Sequence, residues 1–127
     1  MILVVDASAV VRALSESGDR GAEARSMLAA SELLAPYVID LEVAQGFRRI
    51  GMLSGTDMTE ALHRYRSLAI RRFEHLPLLS RIWDLRHNLT AHDAAYVALA
   101  EATGVPLITA DRKLAITPEH RAEIVVV

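Results

Sequence analysis

Apolar residues fall along this chain in two alternating patterns. Short apolar runs, most of them with β-branched residues, recur at Ile2–Val5, Leu33–Ala35, Leu107–Thr109 and Ile124–Val127. Such runs, bounded by polar or turn-forming residues, read as buried strands of a parallel sheet. The stretches between them carry helical spacing. A first helix is expected from about Ser8 to Leu14, and a loop punctuated by Gly18 and Gly21 follows it. Ala24, Met27 and Leu28 mark a second helix, and Pro36 opens a long one to about Met52. Met58, Ala61, Leu62, Tyr65, Leu68 and Ala69 form one amphipathic face. A weak strand is expected near Arg72–His75. Leu79, Ile82 and Trp83 then start a helix that ends near Asn88, with Trp83 packed in the core. Ala94 to Ala102 is apolar nearly all round, which predicts a buried helix stopped by Gly104 and Pro106.

Strand and helix alternate from end to end, with no internal repeat, low-complexity tract or linker. The expectation is a single α/β domain over residues 1–127, with a mostly parallel sheet of about five strands. Two of the predicted strands end in an acid: the first runs into Asp6, and Leu107–Thr109 leads through Ala110 to Asp111. Ligands bind at the carboxyl edge of open α/β sheets. Right-handed crossovers make the helices that follow these strands begin at that same edge. The helices opening after Pro36 and after Leu89 therefore bring Asp40, Glu42 and Asp93 towards Asp6 and Asp111.

Two of the acids also have a plainer role. Thr90 and Asp93 form T-x-x-D, a helix-capping pattern. Asp111 is placed to cap a short turn at Arg112–Ala115. Asp40 and Glu42 are two residues apart and point to nearly opposite sides of a helix, so only one can face the crevice, and spacing does not choose. Asp6 is harder to explain structurally, because an acid that ends a buried central strand has little packing reason to be there. Ser8 and Thr109 flank the two strand-end acids and are placed to hold them by hydroxyl hydrogen bonds. Three or four carboxylates within a few ångströms repel one another. A hard divalent cation relieves this, and an all-oxygen donor set selects Mg²⁺ or Mn²⁺ over zinc.

Composition narrows the picture. Apolar residues make up 52% of the 127 and mean hydropathy is +0.24. A domain this small cannot hide that much apolar surface, so a subunit interface is expected. The longest uncharged stretch, Ala102–Ala110, is far short of the ~20 residues of a membrane span. No basic region precedes the first strand, so no signal peptide is expected. The absence of cysteine rules out disulfides and thiolate metal sites and fits a cytoplasmic setting. Net charge is −2, but the cations are thirteen arginines and only Lys113 as lysine. Arg64, Arg66, Arg71 and Arg72 follow Arg48 and Arg49 closely. They read as a solvated helical face, with phosphate contact as the alternative. His63, His75, His87, His92 and His120 make no HxxH or HxH spacing, and there is no P-loop or G-x-G-x-x-G. A phosphoacceptor receiver domain would need paired acids after the first strand and a late lysine. Here Ala7 follows Asp6, and Lys113 sits two residues after Asp111.

Four segments carry a resemblance: V-D-A-S-A at Val5–Ala9, I-D-L-E-V at Ile39–Val43, R-H-N-L-T-A-H-D-A-A-Y-V-A-L-A-E at Arg86–Glu101, and L-I-T-A-D-R-K-L at Leu107–Leu114. In order and spacing the chain resembles the PIN-domain nucleases, specifically the VapC-like ribonuclease toxins of toxin–antitoxin pairs. The resemblance implies a three-layer α/β/α sandwich and an Mg²⁺- or Mn²⁺-dependent endoribonuclease that leaves a 5′-phosphate and a 3′-hydroxyl. It assigns the acidic site to Asp6, Glu42, Asp93 and Asp111, choosing Glu42 over Asp40, with Ser8 and Thr109 as supporting hydroxyls. Arg86 and Arg112 become candidate contacts to RNA. The departure is His92, where the family commonly has tyrosine. It turns about 100° away from Asp93 and is expected at the rim. The resemblance further implies a homodimer and a VapB-like antitoxin whose extended tail crosses the groove. A PIN scaffold that only binds its partner is the alternative, and the presence of all four acids argues against it.

Overall fold

The computed structural model describes residues 1–127. At its centre is β1 (Ile2–Val5), whose Leu3, Val4 and Val5 are covered on both faces. β2 (Glu32–Pro36) and β3 (Ile70–Phe73) lie to one side of it, and β4 (Leu107–Thr109) and β5 (Ile124–Val126) to the other. The order is β3-β2-β1-β4-β5 and every pairing is parallel. The chain walks outward through β2 and β3, then returns to place β4 against β1. The crossovers diverge between β1 and β4, which makes that gap the topological switch point where a crevice opens at the carboxyl edge.

Seven helices cover the sheet: α1 (Ala7–Ser15), α2 (Asp19–Ala29), α3 (Ile39–Ser54), α4 (Thr59–Arg66), α5 (Leu79–Asp84), α6 (Ala91–Thr103) and α7 (Arg112–Ile116). α1 packs with α2, α3 and α4 as one layer, and α5 pairs with α6 as the other. Ile39, Val43 and Phe47 lie on one face of α3 and are buried, each contributing about 1.5–3 kcal/mol by leaving water. α6 is buried from Ala94 through Ala100, as its all-round apolar sequence predicts. It ends at Gly104, whose φ of +70° suits glycine. No helix is long and apolar enough to cross a membrane.

Several boundaries differ from those expected. The long third helix begins at Ile39, because Pro36 is still paired to Phe73 as the last residue of β2. Gly21 lies inside α2, where a Cβ would stand 2.0 Å from the Glu16 carbonyl oxygen, so the loop ends at Gly18. The weak strand runs two residues earlier than expected, because parallel pairing with Leu33–Pro36 sets its register. Arg71 and Arg72 thereby lie on an edge strand rather than a helical face, and charge on an edge strand discourages pairing with other chains. α4 stops at Arg66, which leaves Leu68 and Ala69 in the turn to β3.

Trp83 is not in the core: it is 65% exposed. α5 is too short to bury two faces. Ile82 and Leu85 take the inward places, and the Arg86 guanidinium lies 4.5 Å from the centroid of the outward indole.

Candidate active site

At the switch point, Asp6 ends β1 and is 6% exposed. The Ser8 hydroxyl donates to Asp6 Oδ2 at 2.8 Å, and the Thr109 hydroxyl, at the end of β4, donates to the same oxygen at 2.6 Å. Each hydroxyl also accepts a backbone N–H, Ser8 from Ala110 and Thr109 from Asp111, both at 3.0 Å. Those N–H donors leave both hydroxyl protons free for the carboxylate. The expected supporting hydroxyls thus tie β1, α1 and β4 together around one oxygen.

Asp6, Glu42, Asp93 and Asp111 all line one cavity of about 780 Å³. None of them has a salt-bridge partner. Burial pushes the Asp6 carboxyl up to about 6, and the charges of Asp93 and Glu42 add to this, while the two hydroxyls pull it down. Asp93 is also raised, first by burial and then by the charge of Asp111. No three side chains crowd into a ready-made metal cage. Like charges stand apart when nothing neutralises them, and Mg²⁺ needs only one or two carboxylates because it keeps several waters. An all-oxygen set of four unpaired acids therefore fits such an ion.

The capping roles are real as well. The Thr90 hydroxyl accepts from the Asp93 N–H at 3.2 Å, and the Asp111 carboxylate accepts from the Lys113 N–H at 2.9 Å. Both acids nevertheless open into the cavity. Asp40 takes a different course. The Arg72 guanidinium grips it in a fork, with its terminal nitrogen 2.8 Å from Oδ1, and the Tyr65 hydroxyl donates to the same oxygen at 2.6 Å. Arg72 first, then Tyr65, hold its carboxyl below the usual range against a partial burial cost. Glu42 instead turns to the cavity, where the fully buried Tyr96 donates its hydroxyl to Oε1 at 2.6 Å. Burial and the Glu42 charge push the Tyr96 phenol up, so it stays protonated as a donor.

Neither Arg86 nor Arg112 lines the cavity. Arg86 is held by Trp83 and its carbonyl oxygen, and Arg112 starts α7 facing outward. Of the clustered arginines Arg49 lines the cavity, whereas Arg64 is paired with Glu60, Arg71 lies over Phe73, and Arg72 is on Asp40. His92 lines the rim. Sequence reasoning missed Tyr96, whose signal was its place three residues after Asp93 on the same helix face. It also missed Gln45, three residues after Glu42 on α3, and named Arg49, seven residues after Glu42, only within a run of arginines read as a solvated face. A smaller cavity of about 460 Å³ lies at the opposite, amino edge of β4, and there Arg81 and Glu101 are bound to each other at 2.7 Å.

The sequence family described as PIN domain matches residues 3–119. The chain belongs to the PIN-domain family. Within that family it is 43% identical over 129 residues to VapC ribonuclease Mb0985 of Mycobacterium bovis, covering 99% of this chain and 98% of that one. It is 42% identical over 125 residues to ribonuclease VapC1 of Mycobacterium tuberculosis, covering 95% and 94%. Solved PIN-domain folds are similar at much lower identity. PAE2754 from Pyrobaculum aerophilum superposes with a TM-score of 0.71 at 22% identity, covering 98% of this chain and 83% of that one. VapBC2 from Rickettsia felis, bound to a DNA fragment from its promoter, gives 0.67 at 14%, covering 98% of each chain. The five-stranded parallel sheet is thus that of a PIN domain.

Proposed function

We propose that this chain is a toxic endoribonuclease of a toxin–antitoxin pair, that it hydrolyses RNA phosphodiester bonds with Mg²⁺ or Mn²⁺, and that a VapB-like antitoxin neutralises it. The observation that carries this is the set of four carboxylates, the buried Asp6 among them, that line one cavity with no ion-pair partner for any of them. The 43% identity to a VapC ribonuclease supports the substrate class. Asp6, Glu42, Asp93 and Asp111 are the residues that would hold the ion. When bound, a divalent cation supplies Lewis acidity at phosphorus and lowers the pKa of a bound water.

The chain's own residues prepare that chemistry. Ser8 and Thr109 fix Asp6 in one rotamer, and Tyr96 fixes Glu42 from the far wall. α6 starts at the rim and presents Asp93 in its first turn. Water adds to phosphorus, the bond to the 3′ oxygen breaks, and that oxygen takes a proton. The products are a 5′-phosphate and a 3′-hydroxyl. Purified protein should cleave total RNA with Mn²⁺ and stop on addition of EDTA; cleavage unaffected by the chelator would overturn the metal-dependent mechanism.

Tyr96→Phe tests the support of Glu42. The ring keeps its place in the core, while the carboxylate loses its donor. Loss of a group one step removed from a metal costs roughly 10–100-fold in affinity or activity. We expect a fall of that order in Mn²⁺ affinity by calorimetry, with the circular dichroism spectrum unchanged. An unaltered affinity would remove Tyr96 from the site.

A homodimer in the cytoplasm belongs to the same proposal. Leu76, Leu79 and Trp83 are exposed at helical spacing, leaving an apolar stripe without a partner. Light scattering should report twice the 13.9 kDa chain mass; a monomer at tens of micromolar would refute the dimer. The antitoxin's extended tail would cross the groove over the acids.

A further inference from the structure

The cavity does not end at the acids. It continues as a groove between α1 and α3, walled by Val11, Arg12 and Ser15 on one side and by Gln45, Gly46 and Arg49 on the other. Glu42, Gln45, Gly46 and Arg49 share one face of α3 because they are spaced three, four and seven apart. Arg49 therefore stands about 10 Å along the helix axis from Glu42. Two arginines line this groove, and they differ in their state. Arg12 is engaged: its Nε bonds Glu16 at 3.2 Å and its terminal nitrogen bonds the Val127 carbonyl at 2.6 Å. Arg49 is exposed and has neither a hydrogen bond nor an ion pair within the chain.

We propose that Arg49 binds a backbone phosphate of the RNA strand next to the scissile position, which makes the α1–α3 groove the path by which the strand leaves the acids. This rests on the nuclease reading above. An RNA chain cut at the acids must continue on either side of the cut. Its phosphates are repelled by four carboxylates, so a path out of the cluster needs a cation close by. The guanidinium fork matches phosphate geometry, and a guanidinium without a carboxylate partner is free to use it. Arg48, its neighbour in sequence, points about 100° away around α3 and does not line the groove, so it serves as an internal control.

The test uses a fluorescent 20-nucleotide single-stranded RNA of random sequence and the full chain carrying Asp6→Asn, so that bound RNA is not cut. Affinity is measured across a salt series for this parent, and again with Arg49→Ala, Arg49→Lys or Arg48→Ala added. Loss of one phosphate contact should weaken binding about tenfold. It should also flatten the slope of log affinity against log salt by about 0.7–1. We expect this of Arg49→Ala alone, with Arg49→Lys keeping the slope and Arg48→Ala matching the parent. Equal slopes for Arg49→Ala and the parent would overturn the proposal, as would equal losses for Arg48→Ala and Arg49→Ala. Unchanged RNA binding by Arg49→Ala together with weakened antitoxin binding would overturn it too, and would give the groove to a protein partner. Total-RNA cleavage by the otherwise wild-type chain is run in parallel. If that chain cuts nothing with Mn²⁺, the nuclease reading fails separately from the slope comparison.

Discussion

Asp6→Asn is expected to abolish RNA cleavage and, in the same change, to stabilise the metal-free protein. The activity loss should exceed the roughly 100-fold typical of groups one step removed from a metal, because Asp6 is itself among the carboxylates that would hold the ion. The stability gain follows from burial. An Asp6 carboxyl raised from 3.8 to about 6 is charged at neutral pH at a cost of about 3 kcal/mol. Asparagine keeps an oxygen to accept from Ser8 and Thr109 and carries no charge. The sign of the pH dependence follows. Below 3.8 the acid is neutral both folded and unfolded, and the two proteins should be nearly equal. Between 3.8 and 6 the cost to the wild type grows as pH rises, and above 6 it is full. Denaturant melts in EDTA should therefore show the gap between variant and wild type widening from pH 4 to pH 7. A gap that is absent or narrows with pH would mean Asp6 is not held at an energetic cost.

Asp40→Asn and Glu42→Gln should split stability from activity. Asp40 is gripped by the Arg72 fork and the Tyr65 hydroxyl on the outside of α3. Removing its charge should cost about 1–2 kcal/mol, a partly exposed ion pair strengthened by its two-point geometry, and should leave RNA cleavage intact. Glu42 faces the acids and has no cationic partner. Glu42→Gln should leave the melting curve almost unmoved and remove most of the cleavage, by roughly 100-fold or more. Thermal melts and initial cleavage rates of both variants decide it. If Asp40→Asn is the inactive one, the wrong carboxylate has been placed in the site.

That pair also shows where the sequence stops being legible. Spacing put Asp40 and Glu42 on opposite sides of one helix and left the choice open. The choice depends on what each side meets. Arg72 reaches Asp40 only because β3 pairs with β2 in a register that local pattern misplaced by two residues. Tyr96 reaches Glu42 only because α6 lies across the sheet from α3. Tyr96 itself was hidden by its surroundings: in a helix apolar nearly all round, its ring reads as core, and its one polar atom acquires meaning only from what it touches. Trp83 is the reverse case, an aromatic at core spacing that a two-turn helix has no room to bury.

The strand ends at Asp6 and Asp111, the capping threonine before Asp93, the buried α6 and the α/β alternation were all determined by the sequence. Each depends on local periodicity and on which residue follows a strand or starts a helix. The tertiary structure decided which acids share a cavity, which arginine is left free beside them, and which hydroxyl protons point at Asp6. Those depend on contacts between residues more than a hundred positions apart, such as Thr109 with Asp6. Strand order and crossover geometry create such contacts, and no local pattern encodes them.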